Sequence, residues 1–325
     1  VSNAKFVKTN LLRGVDMNGT LAPKSLGDIL SETFSIYKKN FLRFAAIVAI
    51  VAVPFAVLGA VVNLLFPAYG EGATDAMSMA MIKIPFYLAF VVAFILMTGA
   101  IIHAMAEQYF NQPVNIARAY KFAWHRLRDM FWAMVLYCLA IGGIFATAIL
   151  MSIIVYLIIA PTIGGISDRL IAFTISGTMI FLAAPAAVYL GIIWNFVVQT
   201  ALLEGCGPTA ALSRSWALVK GSWWRVLGIV LLLSTIMTII YMILDTPTIM
   251  ETITQFTSGA ITGPPTWVMI WRPIGVLIGN IIGFTIYTIG ETLLYFDLRV
   301  RKEGYSLDAL ADELGLPSTT TDAVA

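Results

Sequence analysis

The stretch that decides the fold is Pro208–Arg225, which reads PTAALSRSWALVKGSWWR. It carries two aromatic residues seven positions apart with a basic residue between them, and it leads directly into a long apolar segment. The same arrangement occurs at two earlier places, 92 and then a further 90 residues towards the N-terminus. The equivalent residues are Phe34, Lys38 and Phe41 in the first copy, Trp124, Arg128 and Phe131 in the second, and Trp216, Lys220 and Trp223 in the third. This regular spacing predicts an internal threefold repeat.

The composition is typical of a membrane protein. Of the 325 residues, 59% are hydrophobic and 12% are charged, whereas a soluble domain has about 45–50% apolar and about 25% charged residues. The net charge of +2 and the lack of a dense Lys/Arg run exclude nucleic acid as an expected partner. Two cysteines, Cys138 and Cys206, are too few for a disulfide framework, so we expect two ordinary thiols.

Six apolar segments are each long enough to cross a bilayer, which takes about 20 residues. They pair into three hairpins, and an amphipathic helix precedes each hairpin. We therefore predict an all-α, polytopic membrane bundle of six transmembrane helices arranged as three hairpin repeats. The predicted spans are about 41–66, 84–107, 131–160, 170–203, 224–244 and 273–298, and the amphipathic helices cover about 26–39, about 114–128 and a third segment that opens at Pro208.

The repeats also predict the domain organisation. A basic arm over residues 1–24 precedes a six-span membrane domain over 25–305, and a tail over 306–325 contains one short acidic helix. The repeats within the membrane domain cover about 25–114, 115–207 and 208–305. Ser25 is the expected N-cap of the first amphipathic helix, Pro185 is expected to bend the fourth span, and Asp245–Arg272 is expected to form a polar loop.

The distribution of Lys and Arg predicts the orientation. With six spans both termini lie on one side, and that side holds all but three of the 20 Lys and Arg residues, the exceptions being Lys83, Arg169 and Arg272. Cytoplasmic loops carry the excess of Lys and Arg. We therefore expect a multi-pass protein of the inner (plasma) membrane with cytoplasmic termini and three parallel repeats, whose amphipathic helices all lie on the cytoplasmic side.

The repeated cations Lys38, Arg128 and Lys220 are candidate contacts to lipid headgroups. An anionic membrane surface attracts each Lys or Arg by roughly 1 kcal/mol, so anionic lipid is the expected partner. An alternative remains, in which each amphipathic helix packs on its own bundle and its cation pairs with a carboxylate at a repeat boundary.

Three glycines at four-residue spacing lie in the sixth span: Gly275, Gly279 and Gly283. Glycines with this spacing share one face of a helix and let a second helix approach closely. The pattern favours a packing ridge, and the alternative is a gate or a contact to a substrate.

Polar and ionisable residues inside a membrane are costly and are therefore candidates for functional sites. The asparagines and the glutamine either hydrogen-bond across helices or line a polar cavity. The ionisable residues either anchor helix ends at the interface or relay protons. The candidates are Asn63, Asn195, Gln199, Asn280, His103, Glu107, Glu204 and Glu291.

The sequence gives no sign of a catalytic, metal or cofactor site. The phosphate-binding Walker loop, G-x-S-x-G, H-E-x-x-H and the dinucleotide fingerprint are all absent from it. His103 and Glu107, four residues apart, could supply two metal ligands. Because His125 is the only other histidine, a second ligand cluster is missing.

Three stretches resemble the glycerophosphoryl diester phosphodiesterase membrane-domain family. They are Leu26–Phe41 (LGDILSETFSIYKKNF), Ser213–Gly221 (SRSWALVKG) and Tyr295–Tyr305 (YFDLRVRKEGY). The resemblance covers about residues 25–315. In some relatives this membrane region is fused to a soluble domain that cleaves glycerophosphodiesters with a metal ion. The acidic and histidine motifs of that domain are absent here, so the resemblance implies the membrane region without the hydrolase.

The patterns favour a non-enzymatic integral membrane protein that binds lipid, a protein partner or a second copy of itself, and that serves lipid or envelope metabolism. The alternative is a transporter or channel for a lipid, a lipid fragment or a small solute. A cavity joining Asn63, Asn195 or Asn280 to one side of the membrane would favour transport. A membrane enzyme is the third hypothesis, and acidic residues that converge on a metal would favour it.

Overall fold

The computed structural model describes residues 23–65, 73–109, 112–159, 166–258 and 265–304, and all regular structure within these ranges is helical. The acidic tail helix and nearly all of the basic arm lie outside the described residues. The helices are α1 (Leu26–Lys39), α2 (Phe41–Leu65), α3 (Ala73–Tyr109), α4 (Ile116–Ile159), α5 (Ile166–Ile193), α6 (Val197–Leu203), α7 (Pro208–Val219), α8 (Trp223–Ser258), α9 (Thr266–Gly279) and α10 (Thr285–Glu303), with a π-helical turn (Asn280–Phe284) joining α9 to α10.

Six helical stretches in the described part of the chain are long and apolar enough to cross a membrane. Many of their large apolar side chains are exposed, for example Leu42, Phe181 and Phe256, which suits a surface that faces lipid tails. The prediction of an all-helical protein with six spans is confirmed. The stretches are Phe41–Val62, Lys83–Tyr109, Ile116–Ile158, Gly177–Leu203, Trp223–Thr257 and Thr266–Glu303.

The first helix begins as its sequence predicts. The Ser25 hydroxyl accepts a hydrogen bond from the Asp28 N–H at 3.2 Å, and the Asp28 carboxylate accepts one from the Ser25 N–H at 2.9 Å. This reciprocal capping box satisfies two of the free N–H groups at the start of α1. The Ser25 hydroxyl, at 2.6 Å, and the Ser25 N–H both donate to the Asp28 carboxylate and lower the pKa of this carboxyl, because they favour its ionised form.

The prediction of a separate second amphipathic helix is wrong, because α4 runs from Ile116 to Ile159 without a break. In the first copy the helix ends before Asn40, and in the third copy it ends at Val219, two residues before Gly221, which has a φ of 82°. The equivalent position to Gly221 in the second copy is Asp129, followed by Met130. Neither residue has the conformational freedom of glycine, and the helix continues through both.

The predicted polar loop over Asp245–Arg272 is also mostly helical. Helix α8 extends to Ser258 and α9 starts at Thr266. Threonines in this extension, such as Thr252 and Thr254, donate their hydroxyls to the carbonyls four residues earlier at 2.8 and 2.9 Å. Polar side chains of this kind are compatible with a helix, so polarity alone did not mark its end.

The fourth predicted span breaks at residues 194–196 and passes through Pro185 as a helix. At the break, the Ile193 carbonyl and the Phe196 N–H need partners other than those of a regular helix. Ser215 of α7 satisfies both, because its hydroxyl donates to the Ile193 carbonyl at 2.8 Å and accepts from the Phe196 N–H at 3.2 Å. A buried serine therefore stabilises the turn between α5 and α6.

The chain forms two compact units, one from residues within 1–127 and 228–325 and one from residues 128–227. In the first unit α10 packs against α1 and α3, while α2 packs against α3 and α9. Tyr295, Phe44 and Ile29 are among its fully buried side chains. In the second unit α7 packs against α5 and α6, with Phe196 fully buried.

Candidate functional site

The aromatic residues that define the three sequence copies face outward. Phe34 is 44% exposed, Trp124 64% and Trp216 41%. The residues one and five positions before each aromatic are instead fully buried. These buried residues are Ile29 and Thr33, Ala119 and Ala123, and Ala211 and Ser215. The packing face of each segment thus uses mostly small residues, and the aromatic side chain projects beside it.

The repeated cations lie on the same outward side as the aromatics. Lys38, Arg128 and Lys220 are exposed, and each follows its aromatic by one helical turn in sequence. Arg128 pairs with its neighbour at a long distance, with 3.4 Å between Nε and the Asp129 Oδ1. Within the described part of the chain, Lys38 has no acidic partner at ion-pair distance.

An open-sided basic depression of about 550 Å³ lies where α1 ends, α2 begins and α3 ends. Lys38 and Lys39 from the last turn of α1 and Arg43 from the first turn of α2 line it. None of its nine lining residues is acidic, so the depression is positively charged. The other lining residues are Asn40, Phe41, Leu42, Gln108, Gln112 and Pro113.

The break between α1 and α2 brings these cations together. Asn40 leaves helical geometry with φ −122° and ψ 24°, and its N–H donates to the carbonyls of Ile36 and Tyr37 at 3.2 Å each. Its side-chain amide donates to the Ile36 carbonyl at 3.3 Å, while its oxygen accepts a long contact of 3.5 Å from Arg43. The buried asparagine therefore fixes the junction and holds Arg43 near the end of α1.

The predicted pair His103 and Glu107 belongs to a buried polar cluster between α3 and α4. The Glu107 carboxylate accepts from the Asn115 N–H at 3.0 Å and lies 3.3 Å from the Arg118 Nε. The His103 Nδ1 is 3.9 Å from Glu107, too far for a hydrogen bond, and its ring stacks on Phe122 with centroids 4.4 Å apart. The geometry favours anchoring of the α3–α4 connection over a proton relay.

The glycine ridge of the sixth span faces α8. A Cβ at Gly279 would overlap the Tyr241 ring at Cε1 and lie 2.8 Å from its Cδ1, closer than real Cβ atoms approach another side chain. The two flanking glycines are close to the same helix. A Cβ at Gly275 would lie 3.3 Å from the Leu244 carbonyl oxygen, and one at Gly283 would lie 3.4 Å from the Met237 Cγ.

Asn280 opens the π-helical turn next to this ridge. Its side-chain oxygen accepts a hydrogen bond of 2.6 Å from the Tyr241 hydroxyl, and the residue is buried. The Ile281 carbonyl accepts a second bond of 3.1 Å from Tyr37 of α1, and burial raises the pKa of this Tyr37 hydroxyl to about 12. A π-helical turn displaces backbone carbonyls from the regular pattern, and here one of them receives a partner from another helix.

The remaining predicted polar residues belong to other elements or other turns of the chain. Asn195 is in the turn between α5 and α6, and its N–H donates to the Ile192 carbonyl at 3.3 Å. Glu204 follows α6 and pairs with Arg214 at 2.6 Å. Gln199 is buried on α6 and Glu291 is half-buried on α10. The helical backbone of Asn63 is described, but its side chain is not.

A comparison with protein-family models identifies the family of the chain. The model described as Domain of unknown function (DUF8558) matches residues 71–296. The chain belongs to the DUF8558 family. Comparisons with curated proteins and with solved structures give no match. The DUF8558 region includes Gln108 and Gln112 of the basic depression, whereas Lys38, Lys39 and Arg43 precede it.

A second polar cluster lies just beyond the DUF8558 match, around the buried Asp297 of α10. Its carboxylate accepts from the Lys24 backbone N–H at 2.7 Å and from the Arg301 Nε at 2.9 Å, and Arg301 also donates to the Lys24 carbonyl at 2.8 Å. The Lys24 amine pairs with Glu32 and lies 4.7 Å above the Tyr109 ring. Burial alone would lower the pKa of Lys24, but Tyr109 and Glu32 outweigh it and raise the pKa.

The sequence patterns did not single out several residues that hold the polar clusters, the α5–α6 turn and the basic depression together. Asp297 appeared only within the YFDLRVRKEGY resemblance, and Ser215 only as one serine in the opening stretch. Lys39 and Arg43 lacked a repeated spacing, and Gln108 was one polar residue at the end of a span. Their roles depend on which helix ends meet, which local spacing does not encode.

Proposed function

We propose that this protein is a non-enzymatic integral membrane protein that binds anionic lipid through its three outward-facing aromatic and basic positions. The proposal includes three parallel hairpin repeats, each with an amphipathic segment on the cytoplasmic side of the inner membrane. It also includes the resemblance to the glycerophosphoryl diester phosphodiesterase membrane-domain family, and with it a role in lipid or envelope metabolism.

The observation that carries the proposal is the exposure of the same residue types at equivalent places. Phe34, Trp124 and Trp216 are 44%, 64% and 41% exposed, whereas the residues one and five positions before them are fully buried. A helix that used its aromatics only for internal packing would bury them. Exposed tryptophans are enriched at membrane–water interfaces, where the ring is amphipathic and the headgroups lie close.

The charges support the same conclusion. Each aromatic is followed after four residues by an exposed cation, and residues four apart share a helix face. Two carboxylates at the predicted repeat boundaries, Glu107 and Glu204, pair with Arg118 and Arg214. An anionic lipid can therefore approach an aromatic ring and a cation on one surface, and the attraction is roughly 1 kcal/mol for each cation.

The direct test replaces the three repeated cations by glutamine in one variant, Lys38→Gln with Arg128→Gln and Lys220→Gln. Native mass spectrometry should show less bound anionic phospholipid, while the melting temperature in neutral detergent stays nearly constant. The matched control replaces three other exposed cations, Lys121, Arg272 and Lys302, in the same way. Equal lipid loss in the control would show that only total charge matters, and early melting with lipid retained would overturn the proposal.

The proposed orientation has its own test. In a background with both native cysteines replaced by serine, single cysteines at Thr74 and Gly259 should react with a membrane-impermeant maleimide added to intact cells. A single cysteine at Thr320 should react only after the cells are opened. Labelling of Thr320 from outside would contradict the cytoplasmic placement of the C-terminus.

A further inference from the structure

The three cations of the basic depression differ from several other described cations of the chain. Lys24, Arg118, Arg214, Arg299 and Arg301 each pair with a carboxylate at ion-pair distance. In contrast, Lys38, Lys39 and Arg43 have no acidic partner among the described residues. Three uncompensated positive charges within one depression repel one another, and a bound anion would relieve this cost.

The surrounding groups are suited to an anion with several oxygens. Gln108 and Gln112 line the depression, and the side-chain amide of each has two N–H donors. The depression also contains Phe41 and Leu42, the first residues of the 25-residue helix α2. The N-terminus of a helix carries a partial positive charge and favours anions, phosphate in particular.

The depression also lies at the depth where headgroups are expected. The first span starts at Phe41 and the second ends at Tyr109, so both helix ends meet the depression at the boundary of the apolar segments. Its volume of about 550 Å³ falls within the usual range of about 300–1,000 Å³ for ligand pockets and exceeds what a bare phosphate ion fills.

We propose that this depression is a binding site for a phosphate group, with Lys38, Lys39 and Arg43 as its charged contacts. A phosphomonoester carries about −1.5 to −2 charges at pH 7 and offers three acceptor oxygens, which matches three cations and the amide donors. The inference deepens the proposed function, on which it rests through Lys38. The phosphate belongs to a lipid headgroup or to a water-soluble phosphate ester, and both present the same chemistry to the site.

The experiment compares full-length wild type with the double variant Lys39→Gln and Arg43→Gln, which leaves the repeated cations unchanged. The control variant is Lys121→Gln with Arg126→Gln, two cations outside the depression. Native mass spectrometry in neutral detergent titrates dioleoyl phosphatidic acid and, separately, oleate, an anionic amphiphile without phosphate. We expect the double variant to bind phosphatidic acid roughly 10- to 30-fold more weakly, with unchanged oleate binding and with the control equal to wild type.

A second arm separates the two sources of phosphate. Calorimetry with glycerol 3-phosphate measures binding of the soluble ester, and a dissociation constant at or below that of phosphatidic acid would assign the site to soluble phosphate. Weaker or undetectable binding of the ester, together with the lipid result above, would assign it to the headgroup. A charge-conserving variant, Lys39→Arg with Arg43→Lys, should restore most binding in either case and shows that folding is intact.

The two proposals can fail separately. If the double variant binds phosphatidic acid as wild type does and the three-cation variant does not, the depression is not the phosphate site but the proposed function stands. If phosphatidic acid and oleate weaken equally in the double variant, the depression attracts negative charge without recognising phosphate, and the inference is overturned. If Arg128→Gln with Lys220→Gln retains all lipid while the double variant loses it, the depression stands and the threefold lipid surface does not.

Discussion

Two regions of one compact unit use opposite chemistry. The first is the contact of α8 with α9 and the π-helical turn that follows it, and the second is the junction of α1 and α2. At the first, Gly279 allows close approach, and the Tyr241 hydroxyl donates to the side-chain oxygen of the buried Asn280. At the second, Lys38 and Arg43 have no acidic partner within the part of the chain that the structure describes. The difference indicates that the first region maintains the fold and that the second is available for binding.

The largest expected loss of stability comes from a substitution at the contact between α8 and α9, the packing region. Gly279→Leu would place a side chain where even a Cβ overlaps the Tyr241 ring, so α8 and α9 would have to separate. Overpacking costs about 1–3 kcal/mol and occasionally more, and we expect at least the upper value. Thermal unfolding in detergent measures it. Gly143→Leu is the matched control, because nothing lies within 4 Å of a Cβ there, and equal melting of the two variants would contradict close packing.

The next effect concerns Asp297, which joins α10 to the residue preceding α1. Asp297→Asn removes the charge that accepts from Lys24 and Arg301. Hydrogen bonds to charged groups contribute about 1.5–3 kcal/mol, so the unfolding free energy should fall by that amount while lipid content is unchanged. Glu303→Gln, at a carboxylate that is 27% exposed and pairs with Arg299, should cost less, because the glutamine oxygen can still accept from Arg299 and is partly solvated. A larger loss for Glu303→Gln would reverse this ranking.

A smaller loss of stability is expected when Asn280 in the sixth span loses its hydrogen-bond donor. Tyr241→Phe removes the hydroxyl that donates to Asn280. Hydrogen bonds between membrane helices contribute about 0.6 kcal/mol on average and up to about 1.7 kcal/mol. We expect a loss of stability in this range, measured by chemical unfolding in detergent. Tyr87→Phe at an exposed tyrosine should have no effect, and a stable Tyr241→Phe variant would show that the bond does not matter.

The smallest effect on stability is expected for the outward aromatics. Trp124 is 64% exposed, and surface substitutions usually change stability by no more than about 0.5 kcal/mol. Trp124→Ala should therefore melt like wild type but retain less anionic phospholipid. A loss of stability comparable to that of Gly279→Leu would assign Trp124 to the packing region and remove the distinction between the two regions.

The sequence predicted the six spans because span length depends on the bilayer and is visible in composition. It also predicted the Ser25 cap, where four local residues determine the geometry. It did not predict where helices stop. Asn40 and Met130 occupy equivalent positions in the first two copies, and only small differences in backbone preference decide that the helix breaks at the first and continues through the second. The phosphate-site candidate was missed for another reason, since Arg43 and Gln108 are 65 residues apart and meet only when α2 and α3 pack.

The central claim, that the outward aromatic and basic positions contact anionic lipid, is tested most directly at Trp124 and Arg128, which are one helical turn apart. The measurement is quenching of the Trp124 fluorescence, obtained as the difference between wild type and Trp124→Phe, in vesicles with brominated phosphatidylglycerol or brominated phosphatidylcholine. The account predicts stronger quenching by phosphatidylglycerol, and loss of this preference in Arg128→Gln. Equal quenching by both lipids in the wild-type protein would contradict it.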